Sequence, residues 1–153
     1  MASWESELKA NQLFVMFETK VPIRVRYAET DQMNVVYHAN YATYFEVART
    51  ESIRQLGMTY REMEETGLAM PVVEINIKYL RPARYDDLLT VRTQLREMPE
   101  GHSITFHQDI FNDAGKLITS GFVTLFFMDA GTKRKSRMPE ILREKLLPYF
   151  NPS

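Results

Sequence analysis

The spacing of apolar residues changes from one end of the chain to the other. Phe14 to Tyr27 reads as a first strand, in which Pro22 marks a break or an edge position. From Asn40 to Leu56 the spacing becomes helical: Tyr41, Tyr44, Phe45, Ala48 and Leu56 recur at three and four, while Val47 and Ile53 fall off that stripe. A helix apolar on more than one side is expected to be wrapped rather than merely covered. Gly57 ends it, and Met58 to Thr66 follows as a short polar helix or turn closed by Gly67.

Beyond that point the period is two. Val73, Ile75, Ile77 and Tyr79 alternate with Glu74, Asn76 and Lys78, and Leu89, Val91, Thr93 and Leu95 alternate with Thr90, Arg92, Gln94 and Arg96. Two more strands, His102 to Phe111 and Leu117 to Met128, are joined by the turn Asn112-Asp113-Ala114-Gly115. Pro139 to Phe150 predicts a short amphipathic helix with Ile141, Leu142, Leu146 and Leu147 as its apolar positions, expected to cap the sheet. One long helix followed by an antiparallel meander predicts an α+β domain whose curved sheet wraps that helix. The pattern by itself leaves several α+β folds open.

Composition narrows the chemistry. The 153 residues suit one domain, with residues 1–12 as a polar leader. A formal net charge of −1 gives no electrostatic case for nucleic acid. With no cysteine, disulfides, thiolate metal sites and a cysteine nucleophile are excluded. No apolar run approaches the roughly 20 residues of a membrane span, and MASWESELKANQ is too polar for a signal peptide, so a cytoplasmic protein is expected.

The most informative run is ETDQMNVVYHANYATYFEVAR, from Glu29 to Arg49. It sets the carboxylate of Asp31 a few residues ahead of the His38-Ala39-Asn40 step that opens the long helix. A helix N-terminus offers unpaired N–H groups and partial positive charge, which can hold a carbonyl oxygen as it becomes an oxyanion. A carboxylate beside it serves as base or nucleophile, so the parts of an acyl-transfer site are present without serine or metal. Spacing alone favours a plainer role, since Asp and Asn before a helix are most often caps.

The same run, TDQMNVVYHANYATYFEVAR, resembles the signature of the hotdog-fold thioesterases of the 4-hydroxybenzoyl-CoA type, especially their small bacterial acyl-CoA branch. The likeness extends from about Val25 to Met128 and includes a second stretch, IKYLRPARYDDLL, at Ile77 to Leu89. It implies a hotdog fold, hydrolysis of an acyl-CoA thioester to acid and CoA, and no metal or cofactor. It further implies Asp31 as the catalytic carboxylate and the backbone N–H of His38 as oxyanion donor. A site formed between two subunits, in a homodimer or homotetramer, is also implied. Where the family usually has glycine three residues after that Asp, this chain has Asn34; Asn tolerates φ > 0 best after glycine, so the turn is expected to be kept.

Other positions are assigned around these. Val36, Tyr37 and Tyr41 are expected beside the substrate, the two tyrosines more often packing than reacting; Asn40 is read first as the helix cap and second as a ligand contact. The His38 imidazole either orients the thioester or water, or bonds nearby backbone. For the CoA phosphates the candidates are Lys78, Arg81 and Arg84, then Lys133, Arg134, Lys135 and Arg137. The aromatic-acid branch carries an arginine-rich hairpin after the third strand, whereas Glu97-Met98-Pro99-Glu100-Gly101 holds no basic residue here. The nucleotide must then be held differently or weakly.

Weaker candidates fall away. His102 and His107, an odd number apart on a strand, face opposite sides and are no metal pair, and no GxSxG supports a serine hydrolase. Glu46 is a secondary candidate carboxylate on the helix; more simply, Glu46 and Glu51 solvate a face or pair with Arg49 and Arg54. Two other function classes stay open: a thioesterase acting on an acyl carrier protein, and a non-catalytic acyl-CoA-binding module. A hotdog dehydratase fits less well, because the motif lacks that branch's His and acid arrangement.

Overall fold

The computed structural model describes residues 17–151. The leader at 1–12 and the start of the expected first strand, 14–16, lie outside the described residues. Strand β1 (Phe17–Arg24) leads through a 3-10 turn (Tyr27–Glu29) to helix α1 (Asn40–Gln55) and the short helix α2 (Tyr60–Glu65). Then come β2 (Leu68–Ala69), β3 (Val72–Tyr79), β4 (Leu88–Leu95), β5 (Ser103–Phe111), β6 (Leu117–Phe126), β7 (Met128–Asp129) and helix α3 (Glu140–Phe150). Five strands form one antiparallel sheet in the order β1-β4-β5-β6-β3, and β2 pairs with β7. As an edge strand, β1 accommodates Pro22 without losing a bond from an inner ladder. A curved antiparallel sheet around one central helix is the hotdog fold.

Helix α1 buries Tyr41, Tyr44, Phe45, Ala48, Ser52 and Ile53, and lies chiefly across β1 and β4. Ile53 belongs to this face after all, being eight residues from Phe45, and it is fully buried, whereas Val47 is 44% exposed. Within this chain the helix is therefore apolar along one stripe rather than on more than one side, as its spacing suggested, because Val47 alone lies off that stripe and is exposed. Its counterface is formed by Leu89, Val91, Ile104, Phe106, Ile110 and Val123, all buried.

A polar layer within this interface fixes how the helix sits. Gln108 Nε2 donates to the Phe45 carbonyl at 2.9 Å and to Thr93 Oγ1 at 3.0 Å, and its Oε1 accepts from Arg49 at 3.3 Å. On the next strand Thr19 and Ser52 share a 2.5 Å hydrogen bond. Sliding the helix by one turn would strand these buried groups without partners, a cost of about 1–3 kcal/mol for each. Burial pushes the Arg49 guanidinium down, and Tyr60 and Glu46 pull the other way. Arg49 thus faces inward to Gln108 rather than pairing with Glu46 on the surface, while Arg54 does pair with Glu51.

One strand face and one helix face differ from their patterns. Val73, Ile75 and Tyr79 alternate as expected but are 44%, 45% and 50% exposed, because β3 is the sheet edge farthest from the strands that α1 covers. In α3 only Leu142 and Leu146, one turn apart, are buried; Ile141 and Leu147 point outward. That helix packs beside β1, with Tyr149 edge-on to Phe17 at 5.0 Å. One edge of the sheet is thereby covered and the other left open.

Close strand approach singles out Gly121 on β6. A Cβ there would lie 1.9 Å from the Asn76 carbonyl oxygen of β3, a backbone atom that cannot yield without moving the strand. Gly121→Ala is expected to cost about 2–3 kcal/mol, at the upper end of overpacking penalties, lowering Tm by roughly 4–12 °C for a domain of this size. Thermal and urea unfolding followed by circular dichroism check this.

Candidate functional site

The segment between β1 and α1 is a chain of small hydrogen-bonded turns. Glu29 closes the 3-10 turn: its N–H donates to the Arg26 carbonyl at 3.0 Å and its Oε1 accepts the Arg26 N–H at 2.8 Å. Thr30 and Val36 then bridge, and between them the Asp31 N–H donates to the Val35 carbonyl at 2.9 Å and the Asn34 N–H to the Asp31 carbonyl at 3.0 Å. Such a tight reversal needs one left-handed residue, and Asn34 supplies it at φ 63°. The Asp31 carboxylate is aimed by its own loop, since Oδ1 accepts the Met33 N–H at 2.8 Å. Among the described residues no hydrogen bond engages Oδ2.

The start of the helix is tied to the same turn. The Glu29 carbonyl accepts the Tyr37 N–H at 2.9 Å and Asn40 Nδ2 at 2.8 Å. Asn40 is therefore not the cap; the capping position is Ala39, without a side-chain bond, and the Asn40 amide joins the first helical turn to Glu29. Among the described residues the N–H groups of His38 and Ala39 meet no acceptor. They lie at the positive end of a helix of 16 residues. The His38 ring lies tilted at 55° against Tyr37 with centroids 4.5 Å apart and meets the edge of Tyr79 at 6.1 Å, and the Tyr79 hydroxyl donates to the His38 carbonyl at 3.2 Å.

Asp31 and His38 open onto a cleft of about 270 Å³, shared with Met33, Val35, Val36, Tyr41, Tyr79, Leu80, Arg81 and Pro82. The Val36 N–H, bonded to the Ala83 carbonyl at 2.8 Å, fastens the two sides together. Burial raises the Tyr41 hydroxyl, and burial with the nearby negative charge of Glu29 raises that of Tyr44, so both remain neutral phenols behind the cleft. Of the residues singled out in the sequence, Asp31, Val36, His38, Tyr41 and Arg81 meet here. Asn34, Tyr37 and Asn40 shape the loop and helix start without lining the cleft. Lys78 lies on the opposite face of β3 from Tyr79, and Arg84 lies past Ala83, its N–H bonded to Asp87 Oδ2 at 2.8 Å. Met33, Val35, Tyr79, Leu80 and Pro82 are not among the sequence-based candidates; Leu80 and Pro82 flank Arg81, in a stretch whose candidates are its charged residues.

Elsewhere, Arg96 to Glu100, Ser103 to Thr105 and His107 border a cleft of about 870 Å³ at the other end of the sheet. Beside it, Arg137 joins His102 in a second of about 540 Å³, and Lys135 covers the Phe126 ring at 4.7 Å. The second holds Glu140 in the first turn of α3, whereas the first has the hairpin carboxylates Glu97 and Glu100 and no helix start. Among the described residues no group of three His, Asp or Glu side chains is placed to hold a metal ion, and no helix is long and apolar enough to cross a membrane.

Residues 25–146 match the model of the thioesterase-like superfamily. The chain is 45% identical to YneP of Bacillus subtilis over 102 residues, 67% of this chain and 73% of that protein. It is 33% identical over 119 residues to the acyl-CoA thioester hydrolase YbgC of Escherichia coli, 78% of this chain and 88% of that one. Among solved structures, a DHNA-CoA thioesterase from Staphylococcus aureus superimposes with a TM-score of 0.75 at 34% identity, over 89% of this chain and 85% of that chain.

The left-handed turn yields a test of the loop. Asn34→Gly keeps φ 63° accessible and is expected to leave stability within about 0.5 kcal/mol. Asn34→Val puts a β-branched side chain in the same conformation and should cost about 1–3 kcal/mol. Urea denaturation of the two variants beside the parent protein reads the difference.

Proposed function

The chain belongs to the thioesterase-like superfamily, and on that footing we propose that it hydrolyses acyl-CoA thioesters to the free acid and CoA, with Asp31 as the reacting carboxylate. The observation that carries this reading is the pairing within one cleft of a loop-aimed carboxylate and the unengaged N–H of His38. The names of the relatives point the same way.

In the proposed reaction the thioester carbonyl oxygen takes a hydrogen bond from the His38 N–H, with the α1 dipole behind it. Oδ2 of Asp31 either removes a proton from water as that water adds to the carbonyl carbon, or attacks that carbon to give a mixed anhydride that water then opens. In both routes the C–S bond breaks, the sulfur leaves with its electron pair and takes up a proton, and the added oxygen stays with the acid. The apolar wall of Val36, Tyr41, Tyr79 and Leu80 suits the acyl group and keeps bulk water from the carbonyl. The His38 ring, held by Tyr37 and Tyr79, orients the entering thioester rather than exchanging protons.

A panel of acyl-CoA thioesters scored by free-thiol release tests this, and a protein without cysteine adds no thiol background. Turnover also separates the reading from a module that only binds acyl-CoA. On the best substrate, Asp31→Asn should lower kcat/KM by roughly 10²-fold or more while leaving the fold intact. His38→Ala removes the ring and leaves the backbone donor, so its loss should be far smaller. Equal and complete loss in both would make the imidazole an essential acid or base and overturn the backbone role.

We further propose that the working form is a homodimer or a pair of dimers, supported by the open edge of β3. Its apolar residues Val73, Ile75 and Tyr79 are half exposed, and Tyr79 and Leu80 also border the cleft. Light scattering should give at least two chains per particle at micromolar concentration. Ile75→Glu should shift the particle toward a single chain and lower activity with it; a fully active monomer would contradict the assembly.

A further inference from the structure

The loop from Arg81 to Asp87 leaves the cleft and ends beside a feature that the reaction does not use. Tyr27 and Tyr85, 78% and 58% exposed, meet edge to face with centroids 5.7 Å apart and planes at 85°. Single exposed aromatics are ordinary. This pair is held by the backbone from both sides. The Tyr27 carbonyl takes the Thr30 N–H at 3.2 Å and the Thr30 hydroxyl at 2.7 Å. Tyr85 stands between the Arg84 N–H bonded to Asp87 Oδ2 and Asp86 at φ 68°. The two loops are laced together by Val25 N–H to Asp87 O and Asp86 N–H to Val25 O, each 3.0 Å.

Each tyrosine follows an arginine directly. The Arg26 side chain is 77% exposed and makes a 3.4 Å contact to Glu29, which leaves most of its donors free. Arg84 is exposed, and among the described residues its guanidinium has no hydrogen bond or ion pair. Rigid aromatic faces with adjacent guanidinium groups are the chemistry that takes a purine and its phosphates. Arg81 lines the cleft and Tyr85 comes four residues later, so at most about 14 Å of extended chain separates them. A pantetheine arm bridges that span.

We infer that Tyr27 and Tyr85, with the guanidinium groups of Arg26 and Arg84, form the subsite for the nucleotide end of coenzyme A. This rests on the acyl-CoA reading above. The purine stacks on the tyrosine pair, the phosphates meet the two arginines, and the arm runs along Arg81 and Pro82 to the thioester at Asp31. The hairpin from Glu97 to Gly101, which lacks basic residues, is then not needed for the nucleotide.

The test compares one acyl group carried on CoA and on pantetheine, which lacks the nucleotide. In the double variants Tyr27→Ala/Tyr85→Ala and Arg26→Gln/Arg84→Gln, KM for the acyl-CoA should rise about tenfold or more, within the range found for lost base stacking, with kcat within about twofold. Kinetics on the pantetheine thioester should match the parent protein. Unchanged KM for acyl-CoA, or equal losses on both substrates, would overturn the subsite. Titration calorimetry with adenosine 3′,5′-bisphosphate on the whole protein reads binding without turnover: the parent should bind and both variants should bind at least tenfold more weakly. If the parent cleaves neither thioester, the hydrolase reading fails, and the titration still decides the subsite, with absence of binding to the parent overturning it.

Discussion

The carbonyl oxygen of Glu29 is the joint on which the candidate site depends. By accepting both the Tyr37 N–H and the Asn40 side-chain amide it ties the loop carrying Asp31 to the first turn of α1. The Glu29 carboxylate, buried and folded back onto the Arg26 N–H, keeps that oxygen in place. Since Asn40 makes this tie, the N-terminus of α1 goes without a side-chain cap, and the N–H groups of His38 and Ala39 stay open. A Ser or Asp at position 39 would put a side-chain oxygen beside the donors that the proposed reaction offers to the thioester carbonyl. A small loss of helix stability is thus coupled to a preorganised donor.

That joint is useful only if the helix itself cannot shift. The buried hydrogen bonds of Gln108 with Phe45, Thr93 and Arg49, and of Thr19 with Ser52, hold α1 in one register on β1, β4 and β5. Position then passes from the sheet to the helix, from the helix N-terminus to Glu29, and from Glu29 to Asp31. The unequal edges of the sheet follow the same logic. β1, which leads into the loop, has α3 beside it with Tyr149 edge-on to Phe17, whereas β3, which ends at Tyr79 on the cleft, is left open.

Much of this was legible because it rests on local periodicity. Helix α1, the four following strands and the terminal helix come from apolar spacing, and the left-handed turn at Asn34 is expected because Asn stands where the resembled family usually has glycine. What was not legible depends on tertiary geometry. Asn40 before a helix reads as a cap until the Glu29 carbonyl, eleven residues away, is seen to take its amide. Leu80 and Pro82 reach the cleft, while Lys78 and Arg84 turn from it, through the strand end and the Val36–Ala83 bond, neither of which a charge pattern reveals.

The proposed reaction seats the thioester carbonyl on the backbone N–H of His38 with the Asp31 carboxylate beside it. A crystal structure of Asp31→Asn with an intact acyl-CoA tests it most directly. The carbonyl oxygen is expected at about 2.7–3.1 Å from the His38 amide nitrogen, with the residue-31 amide next to the carbonyl carbon. A thioester seated in the cleft between Arg96 and His107, or a carbonyl held by the His38 ring in place of its backbone, would contradict it.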